Sequence, residues 1–167
     1  MTFSWRYRTP EGFDNLCMCS DGEVLTGLWF AGKRAGVDEM EEQCLPIFRE
    51  TCRWLDGYFA GRPPKKSPAF RLIGATPFRR EVSKEMLEIP FGRTVTYGEI
   101  AAAIARRLGV ERMAAQAVGG AVGWNPICII IPCHRVIGAG GRLTGYGGGL
   151  SNKMALLELE RRAVAGR

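Results

Sequence analysis

The chain has 167 residues, 46% hydrophobic and 24% charged, with six cysteines, one histidine and a formal net charge of +6. That length holds one domain or two small ones with a sizeable core, and no apolar stretch approaches the roughly 20 residues a membrane span needs. The N-terminus lacks the apolar centre of a signal peptide, so a cytoplasmic location and no membrane partner are expected.

The charge is unevenly spread. Residues 1–61 carry 6 basic and 10 acidic side chains, residues 62–112 carry 11 and 5, and residues 113–167 carry 6 and 2. An acidic first third followed by a basic remainder predicts two units, the second compatible with a polyanion such as nucleic acid. The cysteines (Cys17, Cys19, Cys44, Cys52, Cys128 and Cys133) form no C-x-x-C pair, and a single histidine supports a zinc site poorly, so no metal is expected. In a cytosolic protein most of them read as small buried apolar residues, with Cys17 and Cys19 on one face of a strand.

Residues 13–19 and 23–30 read as two strands joined by a Ser20-Asp21-Gly22 turn. Pro46 opens an amphipathic helix carrying Ile47, Thr51, Trp54, Leu55, Tyr58 and Phe59 on its apolar positions. Gly61-Arg62-Pro63-Pro64-Lys65-Lys66-Ser67-Pro68 is the best linker, dividing the chain into units 1–68 and 69–167. Thr76 caps a helix with Pro77 in its first turn, and Glu88-Ile89-Pro90 ends it. Thr96 caps another from 97 to about 108, stopped by Gly109. A further helix covers about 112–122 and is rich in Ala and Gly. Such a pair fits either a helix-turn-helix or a plain helical pair. Ile127-Cys128-Ile129-Ile130-Ile131 reads as a buried strand or extended segment. A last helix starts near Ser151, with Met154, Leu156, Leu157 and Leu159 as apolar contacts. The fold class is mixed α/β (α+β): a small sheet-and-helix unit, then a mostly helical one.

The chemistry concentrates at Pro132-Cys133-His134-Arg135-Val136. The only imidazole of the chain adjoins a thiol, between an apolar run and a glycine-rich stretch that can approach a ligand closely. A thiol attacks as thiolate, which a neighbouring base promotes. Adjacent side chains of an extended segment point opposite ways, so a water or a bend is expected between the two. The imidazole then needs an acceptor on its far side, and Glu158 and Glu160 are both candidates. The plain alternative is a buried thiol beside a structural histidine.

Residues 125–137, together with Leu143-Thr144-Gly145-Tyr146-Gly147-Gly148-Gly149-Leu150, resemble the active-site signature of the O6-alkylguanine-DNA alkyltransferases, the methylated-DNA–protein-cysteine methyltransferases. Ala75-Thr76-Pro77-Phe78, Ile89-Pro90-Phe91-Gly92, Thr96-Tyr97-Gly98-Glu99-Ile100-Ala101 and Ala117-Val118-Gly119-Gly120-Ala121 agree in order, over about residues 70–163. The resemblance implies direct DNA repair in a single irreversible turnover, without a cofactor. The alkyl group of O6-alkylguanine, or of O4-alkylthymine, would pass to Cys133.

It further implies that the protein, a monomer, binds double-stranded DNA through the minor groove and rotates the alkylated base into a pocket. His134 would take the Cys133 proton through a water, oriented by Glu160, and Tyr97 would protonate the leaving base. Asn125 would brace the turn beneath the active-site segment. The Cys133 and Val136 carbonyls would accept from the guanine amine, Val122 and Tyr146 would form pocket wall, and the Gly147-Gly148 backbone would close over the base. Thr96, Tyr97, Ala115 and Gln116 would meet the DNA. Arg93, Arg106, Arg107, Arg112 and Arg135 are phosphate candidates, Arg135 with an internal structural role as the alternative.

Gln116 stands where the family usually has arginine. Losing that residue's charge and donors weakens base flipping by roughly 1 to 3 kcal/mol. Two rival functions remain: a module that only binds and flags lesions, and a thiol hydrolase built on Cys133 and His134. The first 60 residues match the family in layout only, and the histidines of the zinc site some members carry are missing.

Overall fold

The computed structural model of the protein describes residues 1–36 and 39–167. A four-stranded sheet opens the chain: β1 (Phe3–Tyr7), β2 (Leu16–Ser20), β3 (Leu25–Phe30) and β4 (Glu41–Glu42), in the order β3-β2-β1-β4. The two hairpin pairings are antiparallel and β4 joins β1 in parallel. The expected turn closes on its own side chains. Ser20 Oγ accepts from the Gly22 amide at 2.9 Å, and Asp21 Oδ1 accepts from those of Glu23 and Val24 at 3.0 and 3.1 Å. Alternation along β2 sends Leu16 and Met18 into the main core, while Cys17 and Cys19 pack on the other face with Trp29, Ala31 and Met40. Helix α1 (Pro46–Phe59) buries Ile47, Phe48, Thr51, Trp54, Leu55 and Tyr58, the stripe its spacing predicts.

In the second unit the local signals operate one by one. Thr76 Oγ1 accepts from the Arg79 amide at 3.2 Å and starts α2 (Pro77–Leu87). A reciprocal capping box starts α3 (Tyr97–Leu108): the Glu99 amide donates to Thr96 Oγ1 at 3.1 Å, and the Thr96 amide to Glu99 Oε2 at 2.6 Å. Gly109 ends that helix at φ 68°, in the left-handed region. Helix α4 is Ala115–Trp124, three residues later than the 112 expected from composition. Ala114 is extended and offers no capping side chain, so nothing holds an earlier turn. Helices α2, α3 and α4 pack on one another, and β5 (Val95–Thr96) pairs in parallel with β6 (Val136–Ile137).

Residues 127–131 are not a strand. Only Ile127 pairs, bridging Leu28, and the chain then turns. The turn satisfies its backbone locally, with Ile130 N donating to Cys128 O at 2.8 Å and Ile131 N to Ile127 O at 3.0 Å. Ile129 sits at φ 67°, a region costly for a β-branched residue by about 1 to 3 kcal/mol. All five side chains are buried, which holds the turn in place; an apolar run with no periodicity carries no information about that path.

The last helix, α5 (Leu150–Ala165), buries Asn152, Lys153, Leu156 and Glu160. Met154, expected inside, is exposed. The sheet and the helical unit share one continuous core. They also share backbone bonds along β3: Leu25 with Ala69 and Arg71, and Leu28 with Pro126 and Cys128, at 2.8 to 2.9 Å. No helix among the described residues is long and apolar enough to cross a membrane. Removing the Thr96 cap with Thr96→Ala is expected to lower stability by about 1 kcal/mol, seen as a lower urea midpoint at unchanged slope.

Candidate active site

Cys133–Arg135 form a single 3-10 turn ending the buried segment, so Cys133 and His134 sit on a bend rather than on an extended strand. Asn125 holds the segment from below, its Oδ1 accepting from Ile127 N at 3.0 Å and its Nδ2 donating to Ile131 O at 2.9 Å. Cys133 lies on the wall of a cavity of about 240 Å³. Tyr97, Val122, Asn125, Tyr146, Gly147 and Gly148 line the same cavity, so six of the residues expected at the site converge on it.

Behind the thiol is a buried polar network. His134 Nε2 lies 2.7 Å from Glu160 Oε1, and both residues are inaccessible to solvent. A carboxylate can only accept, so Nε2 carries the proton and Nδ1 keeps a lone pair. Nδ1 is buried without a hydrogen-bond partner among the described residues, which leaves a base ready for use. Arg135 clasps Glu160 through Nε and Nη2 at 2.9 to 3.1 Å and donates from Nη1 to Ile89 O at 2.8 Å. Its place is therefore internal. Gly92 N donates to Glu160 Oε2 at 3.0 Å. Gly92 has φ 82°, and a Cβ there would collide with Val164. Glu158, the other candidate acceptor, lies on the surface and pairs with Arg161 and Arg162.

Two members of this arrangement escape sequence reasoning. Tyr58, from α1, donates to Glu160 Oε1 at 2.8 Å and is fully buried. Nothing local marks it, since its partner is 102 residues away. Lys153 is buried beside Tyr146 and donates to Val136 O at 2.7 Å. Its signal is present: 153, 156 and 160 fall on one helical stripe, so Lys153 and Glu160 must go inside with Leu156. Val136 itself is buried outside the cavity lining, and its carbonyl, expected to face the base, is taken by Lys153.

Burial pushes the Cys133 thiol up, against the neighbouring Asn125 and Tyr146 side chains and the Lys153 charge, which pull it down. The Tyr146 hydroxyl is buried without a hydrogen-bond partner among the described residues, and burial and the nearby Cys133 thiol push it well up. Burial lowers His134, although Glu160 opposes it, so the imidazole rests neutral. Burial works to raise Glu160, but His134 and Arg135 outweigh it and hold the carboxyl at about 2.

Gln116, Ala115, Arg93 and Arg112 are exposed, and Thr96 is half-buried as the α3 cap. Arg106 is exposed, whereas Arg107 is tied to Glu81 at 2.8 Å and to Glu85, locking α3 to α2.

Residues 77–162 match the family described as 6-O-methylguanine DNA methyltransferase, DNA binding domain. Among curated relatives, the methylated-DNA–protein-cysteine methyltransferase of Mycobacterium tuberculosis is 53% identical over 157 residues, covering 93% of this chain and 92% of its own. That of Mycobacterium leprae is 44% identical over 156 residues, covering 89% and 87%. The crystal structure of the M. tuberculosis O6-methylguanine methyltransferase superposes with a TM-score of 0.82 at 40% identity, covering 98% of this chain and 94% of that one. A structure of the M. tuberculosis protein in complex with DNA superposes at 0.81, with 40% identity and coverage of 96% and 94%. The chain belongs to the methylated-DNA–protein-cysteine methyltransferase family.

The Glu160 carboxyl lies well below the usual value of about 4.3, so its stabilising effect is complete above that value and is lost as pH falls towards 2. The lowered His134 acts in the same direction, because the unfolded chain protonates first as pH falls below about 6.5. The urea midpoint is therefore expected to fall steadily on acidification. Glu160→Gln, less stable at neutral pH, should show a flatter profile.

Proposed function

We propose that this protein repairs DNA directly, moving the alkyl group from guanine O6, or thymine O4, onto Cys133 once per molecule. Family membership gives the reaction class, and the placement of Cys133 on the cavity wall with the His134–Glu160 pair behind it carries the assignment. In this reading residues 69–167 form the DNA-binding and alkyl-acceptor domain and residues 1–68 a supporting domain. The protein works as a cytoplasmic monomer and needs no cofactor.

Helix α4 enters the minor groove, where the small side chains of Ala114, Ala115 and Ala117 permit a close fit. The alkylated base rotates into the cavity and Gln116 fills the space it leaves. Val122 and Tyr146 wall the base in, and the Gly147-Gly148 backbone closes over it. His134 Nδ1 accepts the thiol proton through one water, and Glu160 stabilises the imidazolium that results. The sulfur attacks the alkyl carbon in line, the S–C bond forming as the bond to O6 breaks. Tyr97 donates its hydroxyl proton to the departing base, whose negative charge grows in the transition state. The product is a thioether, which water does not readily hydrolyse, so each molecule acts once.

Incubation with a duplex containing O6-methylguanine, followed by intact-mass measurement, is expected to add one methyl group to the protein and none to Cys133→Ala. Tight binding with no change in mass would instead support a lesion-flagging role. Gln116 offers neither the charge nor the forked donors of arginine. Gln116→Arg is accordingly expected to accelerate transfer from duplex DNA by about tenfold or more, measured in single-turnover kinetics. An unchanged rate would remove Gln116 from the flipping step.

A further inference from the structure

The cavity that holds Cys133 is not built by the helical unit alone. Trp29 and Phe30, at the end of β3, and Lys33 and Arg34, in the loop that follows, form part of its wall. Phe30 is fully buried and lies so close to Gly148 that a Cβ there would meet its ring at 2.7 Å. Trp29 lies flat across Gly27, where any Cβ would collide with the indole. The Arg34 guanidinium stacks on that indole, 4.7 Å from the ring centroid. Lys33 runs beside the backbone at Gly149, within 3.5 Å of where a Cβ would stand.

Both cations are exposed, and among the described residues the cavity lining contains no carboxylate to neutralise them. Their position runs against the charge of their own unit. Residues 1–61 hold 10 acidic and 6 basic side chains, yet two of the six stand together at this opening. Tyr97 and the α4 residues Gly119 and Gly123 line the same cavity. An opening lined both by the proposed groove-binding helix and by a Lys-Arg pair suits an anionic strand passing over it. Stacking on Trp29 limits the freedom of the guanidinium and leaves its planar donors available to a phosphate.

We infer that Lys33 and Arg34 form a second DNA contact, binding the phosphates that flank the nucleotide turned into the cavity. The inference rests on the repair reading and extends it to the N-terminal unit, which becomes part of the DNA-binding surface. Each phosphate neutralised by a basic side chain releases counterions, so the salt dependence of binding reports directly on such pairings.

The test uses the full chain carrying Cys133→Ser, so that binding is measured without reaction, and a duplex containing O6-methylguanine. Affinity is followed by fluorescence anisotropy as salt rises. Replacing both residues, Lys33→Gln with Arg34→Gln, is expected to reduce the log–log salt slope by about 0.9 for each phosphate no longer neutralised. Raising salt fourfold should then weaken the parent protein about tenfold more than the double variant. Arg34→Lys keeps the charge and should keep the slope. A slope unchanged in the double variant overturns the inference, whether affinity holds or falls, because weaker binding at the same slope means packing rather than phosphate neutralisation. Methyl uptake by the protein with Cys133 intact, read by mass, separately tests the repair reading on which the inference rests.

Discussion

The Glu160 carboxylate is the point on which the site depends. It accepts from Tyr58 of α1, from Gly92 in the turn before β5, and from His134 and Arg135 on the 3-10 turn. A buried charge is costly unless its lone pairs are filled and an opposite charge is close. Arg135 supplies the charge, and its spare Nη1 is used by Ile89 O rather than left unmet. Three segments distant in sequence are therefore held at one carboxylate of α5, and the orientation of the His134 ring follows from them. A ring fixed at Nε2 has no choice about where its Nδ1 lone pair points.

The thiol faces an opposing demand. Burial disfavours the thiolate, the form in which a sulfur attacks. The neighbouring Asn125 and Tyr146 side chains and the nearby Lys153 ammonium offset part of that cost. Lys153 is itself lowered by burial and anchored to the Val136 carbonyl, so its charge is positioned by the backbone that follows Cys133. Under the proposed reaction this balance suits a thiol that stays protonated until substrate arrives and then gives up its proton to His134.

What is legible in the sequence is local. Thr76-Pro77, Thr96 with Glu99, and Gly109 specify their helix ends because each device acts within four residues of itself. Cys133, His134 and Asn125 are legible through the motif in which they lie together. Less accessible is anything settled by tertiary packing. The run Ile127 to Ile131 satisfies strand and turn patterns alike, and its path is decided by the Leu28 bridge and the burial of every side chain in it. The start of α4 is hidden because Arg112, Met113 and Ala114 suit a helix about as well as Ala115 does, with no cap to break the tie. Tyr58 is recognisable as one apolar position of α1, but its hydroxyl acts across 102 residues, a separation on which periodicity is silent.

The features hidden from the sequence have a common origin. The bridge at Leu28, the Tyr58 hydroxyl and the Trp29–Phe30 wall all come from the first 60 residues, outside the 77–162 stretch that matches the family model. Ile129 can hold a positive φ only where its surroundings leave it no alternative, and Leu28 supplies two of the backbone bonds that fix the segment, to Pro126 and Cys128. The sheet thus sets the height of the turn that presents Cys133, while α1 sets the acid behind His134. The geometry around Cys133 and His134 is consequently a property of both units together, with the N-terminal unit acting at the few atoms where it meets residues 127–135 and Glu160.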